Sequence, residues 1–136
     1  VPNLLLGSLN LGALLAVPIE PYKKPQHLIR GEAAEEQAHQ FLLNNGLTAV
    51  CRNYRCQYGE LDLIMTDHNS LVIIEVRFRN NNTYGSALES ITPRKQARLI
   101  ATTQHYLSHH KTEQRIRFDV IALSGDGSLQ WIKNAF

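Results

Sequence analysis

The chain has little of what small proteins use to staple themselves together. It carries two cysteines in 136 residues, Cys51 and Cys56. That is too few for a disulfide framework, and no second pair completes a zinc ribbon. Cys51 reads as a small reduced hydrophobe and Cys56 as an ordinary turn residue. No apolar run is long enough to cross a membrane as a helix. There is no internal repeat, which excludes a solenoid. Neither sign of charge dominates: 14 Lys and Arg against 12 Asp and Glu leave a net charge of +2. The chain is not a polycation, so any nucleic-acid surface has to be a local patch. The hydrophobic content of 43% is a globular value, and the length suffices for one domain with a real core. The expected location is cytoplasmic.

The first residues differ from the rest. Leu4, Leu5, Leu6, Leu9, Leu11, Leu14, Leu15 and Val17 form an apolar stretch broken by Gly7, Asn10 and Gly12. It reads as a signal-peptide core, a partner-docking segment or a poorly ordered extension. Pro18, Pro21 and Pro25 then make a stiff connector. The expected division is an extension over residues 1–28 and a domain over 29–136.

Within the domain, the pattern from Gly31 to Asn45 is helical, with Ala34, Ala38, Phe41 and Leu42 on one stripe. Gly46 ends it, being free to take the left-handed conformation. Glu35 lies at the margin of the stripe. Glu32 lies near the expected helix start, where a negative charge favours the dipole. Thr48–Tyr54 reads as a strand. Thr92-Pro93 starts a second helix running to about Ser108, with Thr as N-cap and Ala97, Ile100, Ala101, Gln104 and Leu107 on one face. His105 and His109 read as a solvated helix end rather than a zinc site. Ile116–Leu123 and Leu129–Ile132 are strands joined by a Gly125-Asp126-Gly127 turn. Asp119 reads as a structural partner for Arg117 or a backbone amide, with a further ligand of the acidic site as the alternative. The order is α-β-β-β-α-β-β, an α+β domain with helices packed on a mixed sheet.

The informative stretch is central. Gly59–Ile64 and Leu71–Arg77 read as two strands joined by a short polar link, hence an antiparallel hairpin. Leu61 and Leu63 are expected on one face, with Glu60, Asp62 and Ile64 on the other. Pairing brings Asp62 towards Glu75. Glu75 follows a run, Leu71–Ile74, that looks buried on both faces, where an ionised group is expensive unless paired or metal-bound. Two carboxylates that close repel, and a hard divalent cation between them relieves this. The plain alternative is a solvated ion pair between Glu75 and Arg77.

Basic residues surround this stretch. Arg52 and Arg55 flank the end of the first strand and Arg79 follows the central one. Arg94 and Lys95 crowd the start of the second helix, where positive charge asks for an anion. A phosphate backbone is one candidate and Glu89 the local one. The polar loop Asn80–Ser86 reads as a substrate-contacting loop or as plain turn chemistry.

A helix Glu, then G-E-x-D-L-I, then an apolar strand ending in E-V-R resembles the PD-(D/E)XK nuclease superfamily. From about Gly31 to Phe136, including Arg117-Phe118-Asp119-Val120, the chain resembles more closely the YraN-like family of uncharacterised bacterial proteins. That family is related in fold to archaeal Holliday junction resolvases. The resemblance implies a restriction-endonuclease-like core, close to a three-layer α/β arrangement. It also implies Mg2+ (or Mn2+) held by Asp62 and Glu75 with Glu35 as a further ligand and the Val76 carbonyl as an extra oxygen. Arg77 stands where the motif has Lys. It cannot act as a base, but it can stabilise charge and grip phosphate. Arg52, Arg55, Arg79, Arg94 and Lys95 would contact nucleic acid. The implied activity is phosphodiester hydrolysis of DNA in repair, recombination or uptake, and a homodimer is compatible with it. The alternatives are a non-catalytic nucleic-acid-binding module on the same fold and an interaction protein that docks through its first segment.

Overall fold

The computed structural model describes residues 20–79 and 88–136. The apolar first stretch and the loop Asn80–Ser86 lie outside the described residues. The element order is α1 (Gln26–Asn44), β1 (Thr48–Cys56), β2 (Gly59–Asp67), β3 (Ser70–Arg79), α2 (Pro93–His109), β4 (Arg115–Ser124) and β5 (Leu129–Ile132). This is the α-β-β-β-α-β-β order and the α+β class read from the sequence.

The five strands form one sheet in the order β1-β2-β3-β4-β5. β3 and β4 are parallel, and the other neighbours are antiparallel. Only the parallel pair needs a long crossover, and α2 lies in it. The link between β2 and β3 is the two residues between Asp67 and its partner Ser70, with His68 at φ 53°.

β3 is buried on both sides, as its apolar run implies. Val72 and Ile74 join Ala34, Ala38 and Leu42 of α1, while Leu71 and Ile73 join Leu99 and Tyr106 of α2. The helices therefore cover opposite faces of the sheet, in three layers.

Some local expectations are corrected. α1 begins at Gln26 rather than Gly31, so Glu32 lies well inside it and no acid occupies its first turn. Glu32 instead pairs with Lys24 at 2.6 Å. Leu28 and Ile29 are exposed, so the added turns carry no buried stripe by which the sequence could reveal them. The end of α1 is as read: Gly46 takes φ +91°, with Leu47 N–H on the Leu42 carbonyl and Gly46 N–H on that of Leu43.

α2 buries Leu99, Thr102, Thr103 and Tyr106, whereas Ala97, Ile100 and Gln104 are exposed. The physical reason is that Thr102 and Thr103 return their hydroxyls to the carbonyls of Arg98 and Leu99, both at 2.7 Å. With the donors satisfied inside the helix, the threonines can face the core. Thr92 caps the helix as expected, its Oγ1 accepting from Lys95 N–H at 3.2 Å.

Asp119 is a structural hub. It is 1% exposed and accepts from Arg117 Nε and Nη2, Trp131 Nε1 and the Asn134 N–H at 2.8–3.0 Å. Arg117 also holds Asp67 at 2.9 Å. This knot joins β4 to the end of β2 and to the C-terminal residues. The Asp119 carboxylate keeps Arg117 firmly protonated.

Candidate functional site

The site begins with a break in strand alternation. Arg52 of β1 pairs with Leu63 of β2, and Tyr54 pairs with Leu61. Regular strands would put Leu61 and Leu63 on one face. Instead Leu63 packs with the α1 side of the core and Leu61 with the α2 side. Arg52 accordingly reaches Glu36 of α1 at 2.8 Å, while the Tyr54 hydroxyl bonds His105 Nδ1 of α2. Asn53 lies between the two pairs with φ +53°, a conformation Asn tolerates better than most residues. The β1–β2 ribbon therefore turns over at this step, leaving the acidic side chains of β2 at the crossover.

Three carboxylates meet there. Glu35 of α1 with Glu60 and Asp62 of β2 offer oxygens that all lie within 4.8 Å of one another. With its amide nitrogen turned towards them, Asn53 donates to Glu35 Oε2 at 3.0 Å and to Glu60 Oε1 at 3.1 Å. Asp62 Oδ2 accepts the Val76 N–H at 2.9 Å. Burial, then the nearby Glu75, pushes the Asp62 carboxyl up to about 8, against the pull of the Val76 N–H. Burial and then Glu60 raise Glu35, opposed by Arg52 and Asn53. These acids are held close together against their own repulsion.

Glu75 is buried beside Asp62 but is not a member of the closest group of three. Its Oε1 lies 3.4 Å from Arg77 Nη2 and 3.4 Å from Lys95 Nζ. The positive start of α2 thus meets Glu75 rather than Glu89, and Lys95 sits inside the site. The Arg77 Nε is buried without a partner among the described residues. The acid at the end of a double-sided core strand is compensated from two directions, as an acid so placed must be.

The remaining basic residues are spread more widely. Arg52 is bound to Glu36, and Arg55 lies 3.3 Å from Glu60 while staying largely exposed. Arg94 is exposed at the start of α2, and Arg79 ends β3 with its Nε buried and unpartnered among the described residues. His105 is not a solvated helix end: it is bonded to Tyr54 and packs against Tyr58 and His109.

Sequence reasoning named Glu60 on the Asp62 face without giving it a role, and it assigned Asn53 none. The signal for Glu60 was its two-residue offset from Asp62. Nothing in the sequence told that Asn53 adopts a left-handed backbone. An all-oxygen donor set of this kind fits a hard divalent cation, which takes carboxylate oxygens in preference to nitrogen or sulfur.

A family model described as Uncharacterised protein family UPF0102 matches residues 34–123. The chain belongs to this family. The matched span of UPF0102 runs from α1 to the end region of β4 and includes Glu35, Glu60, Asp62, Glu75, Arg77 and Lys95. A UPF0102 protein of Nitrosococcus oceani is 46% identical over 119 residues, covering 84% of this chain and 96% of its own length. One from Nitrosomonas eutropha is 46% identical over 107 residues, covering 79% and 92% respectively. One from Legionella pneumophila is 44% identical over 110 residues, covering 79% and 93%. Among the described residues, no helix is long and apolar enough to cross a membrane.

Proposed function

We propose that this UPF0102 protein is a Mg2+- or Mn2+-dependent DNA endonuclease that hydrolyses phosphodiester bonds. The observation that carries the reading is the convergence of Glu35, Glu60 and Asp62 within 4.8 Å, with Glu75 next to Asp62. Asp62 and Glu35 both have carboxyls raised by burial and by like charge. Such a cluster is poorly balanced by itself, and a divalent cation is the ligand that relieves it. The likeness to the PD-(D/E)XK pattern supports the same reading.

Glu35, Glu60 and Asp62 would hold the ion, with Glu75 alongside. When bound, it supplies polarisation of a phosphate oxygen and a water of lowered pKa. The chain's own groups do the rest. Asn53 orients Glu35 and Glu60 through its amide. The Val76 N–H fixes the rotamer of Asp62. Arg77 and Lys95 stand 3.4 Å from Glu75, where they can offset charge that grows on a transferring phosphate. Arg77 contributes charge and not proton transfer, because guanidinium stays protonated. DNA is the proposed partner because phosphate is the anion that Arg and Lys flanking an acidic centre would hold.

The test is calorimetric titration of the protein with MgCl2 and MnCl2, followed by cleavage assays on linear and branched DNA. Saturable binding that Asp62→Asn removes, with cleavage that needs the ion, is the expected result. Metal binding without cleavage, but with salt-dependent DNA affinity, would replace the endonuclease by a nucleic-acid-binding module.

A further inference from the structure

A second feature lies near the acid-bearing helix α1. A cleft of about 350 Å3 opens between the first turns of α1 and the end of β3, lined by His27, Arg30, Gly31, Phe78 and Arg79. Among the described residues, no carboxylate lines it. Among the described residues, neither Arg30 nor Arg79 has an ion-pair partner, and the Arg79 Nε is buried without a hydrogen bond. Two guanidinium groups in one cleft repel, so their convergence asks for an anion.

The rest of the lining narrows the choice of anion. Phe78 is 38% exposed, an aromatic face left beside two cations. Phosphate with a planar base attached satisfies both kinds of surface. Gly31 is an independent sign. It sits inside α1, where glycine is a poor helix former. A Cβ there would meet nothing within 4 Å, so packing does not require the glycine. Gly31 is part of the cleft wall, and as glycine it leaves that stretch of wall without a side chain.

The cleft is also aligned with the acid group. His27, Gly31 and Glu35 recur every fourth residue and lie along one stripe of α1. Gly31 is therefore about 6 Å along the helix from Glu35, and His27 about 12 Å. That is the scale of one or a few nucleotides of a strand.

We propose that this cleft takes one unpaired nucleotide of the DNA whose scissile phosphate lies at the acid group, with Arg30 and Arg79 on its phosphate and Phe78 against its base. The inference rests on the endonuclease reading and gives it a substrate class: DNA with a single-stranded segment next to the cut. A base paired in a duplex cannot enter a cleft of this size, because its partner strand comes with it.

The test measures fluorescence anisotropy of a labelled single-stranded 12-mer and of the matching blunt duplex, in chelator and over a range of salt. The full chain is compared with Arg30→Ala/Arg79→Ala, Phe78→Ala and Gly31→Leu. The wild type is expected to prefer the single strand. The double variant is expected to lose about tenfold or more in single-strand affinity and to show a log–log salt slope shallower by about 0.7, because the two guanidinium groups share one phosphate. Gly31→Leu adds a helix-favouring residue and leaves every cation in place. It should weaken single-strand binding with a melting temperature equal to or above wild type. Unchanged single-strand affinity in both the double variant and Gly31→Leu would overturn the cleft while leaving the endonuclease reading intact. No affinity of the wild type for either DNA would overturn both.

Discussion

Asp62 Oδ2 accepts the backbone N–H of Val76 at 2.9 Å, so a side-chain carboxyl completes the hydrogen bonding where β2 and β3 part. The backbone register of the two strands runs from Asp67 opposite Ser70 to Leu63 opposite Ile74. One residue further along β2, Asp62 takes over. The same carboxyl faces Glu35 and Glu60, so strand pairing and the proposed metal chemistry share one group. Its protonation is therefore expected to be felt in stability.

The first prediction concerns pH. Asp62 is shifted from 3.8 to about 8 in the folded protein. The folded state thus binds its proton more tightly than the unfolded state does. The favourable contribution is complete below about pH 4 and is lost as pH rises towards 8. In chelator, the melting temperature should fall across that window, and Asp62→Asn should flatten the profile. Magnesium, binding only the folded state, should restore stability at pH 8. Differential scanning fluorimetry from pH 4 to 9 reads this directly. A wild-type profile that is flat in chelator would remove the strained-carboxyl argument.

Glu75→Gln should abolish metal-dependent cleavage while leaving DNA binding largely intact. Gln keeps the volume and shape of Glu beside Arg77 and Lys95, but it removes the charge that both cations face. A loss of two to three orders of magnitude in rate, about 3–4 kcal/mol, is a fair expectation for a disrupted metal-site carboxylate. Wild type and variant are compared in magnesium and in chelator with matched melting curves. Equal cleavage by both would place the activity elsewhere or in a contaminant.

Arg77→Lys should retain or improve activity, whereas Arg77→Ala should lose it. Lys keeps the positive charge near Glu75 Oε1 and adds an amine that can exchange a proton. Single-turnover rates at saturating metal separate the variants. Full activity in Arg77→Ala would take Arg77 out of the mechanism.

Asp119→Ala should destabilise the fold by about 3–5 kcal/mol, because it leaves half-buried Arg117 without its principal partner and the Trp131 and Asn134 N–H groups without their acceptor. Asp119 accepts hydrogen bonds from β4, β5 and the C-terminal residues at once. Urea denaturation gives the number. A change below about 1 kcal/mol would mean that water takes over the freed donors.

A chain starting at residue 20 should still melt cooperatively. Both apolar clusters described in the core are built from residues at or after Ala34. Circular dichroism melts of the full and shortened chains decide it. Loss of cooperativity would show that the first residues complete the core.

The sequence by itself determined the elements and their class. β3 is legible because Leu71, Val72, Ile73 and Ile74 form a continuous aliphatic run, and burial on both faces is what such a run requires. Thr92-Pro93 and Asn45-Gly46 are legible because capping chemistry is local. The acid at the end of β3 is legible as costly for the same reason, since it directly follows a doubly buried segment. Only the tertiary structure decided how the acids meet. Alternation keeps Leu61 and Leu63 together on paper, but in the fold they pack on opposite sides of the sheet, with left-handed Asn53 of β1 opposite the step between them. That change of side brings Glu60 to Glu35 of α1 and leaves Glu75 to Arg77 and Lys95. A period of two carries no record of where a strand changes face, because the twist is set by neighbours distant in the chain. The threonine-lined core face of α2 was hidden for a related reason: whether a hydroxyl counts as polar depends on which carbonyl the folded helix offers it.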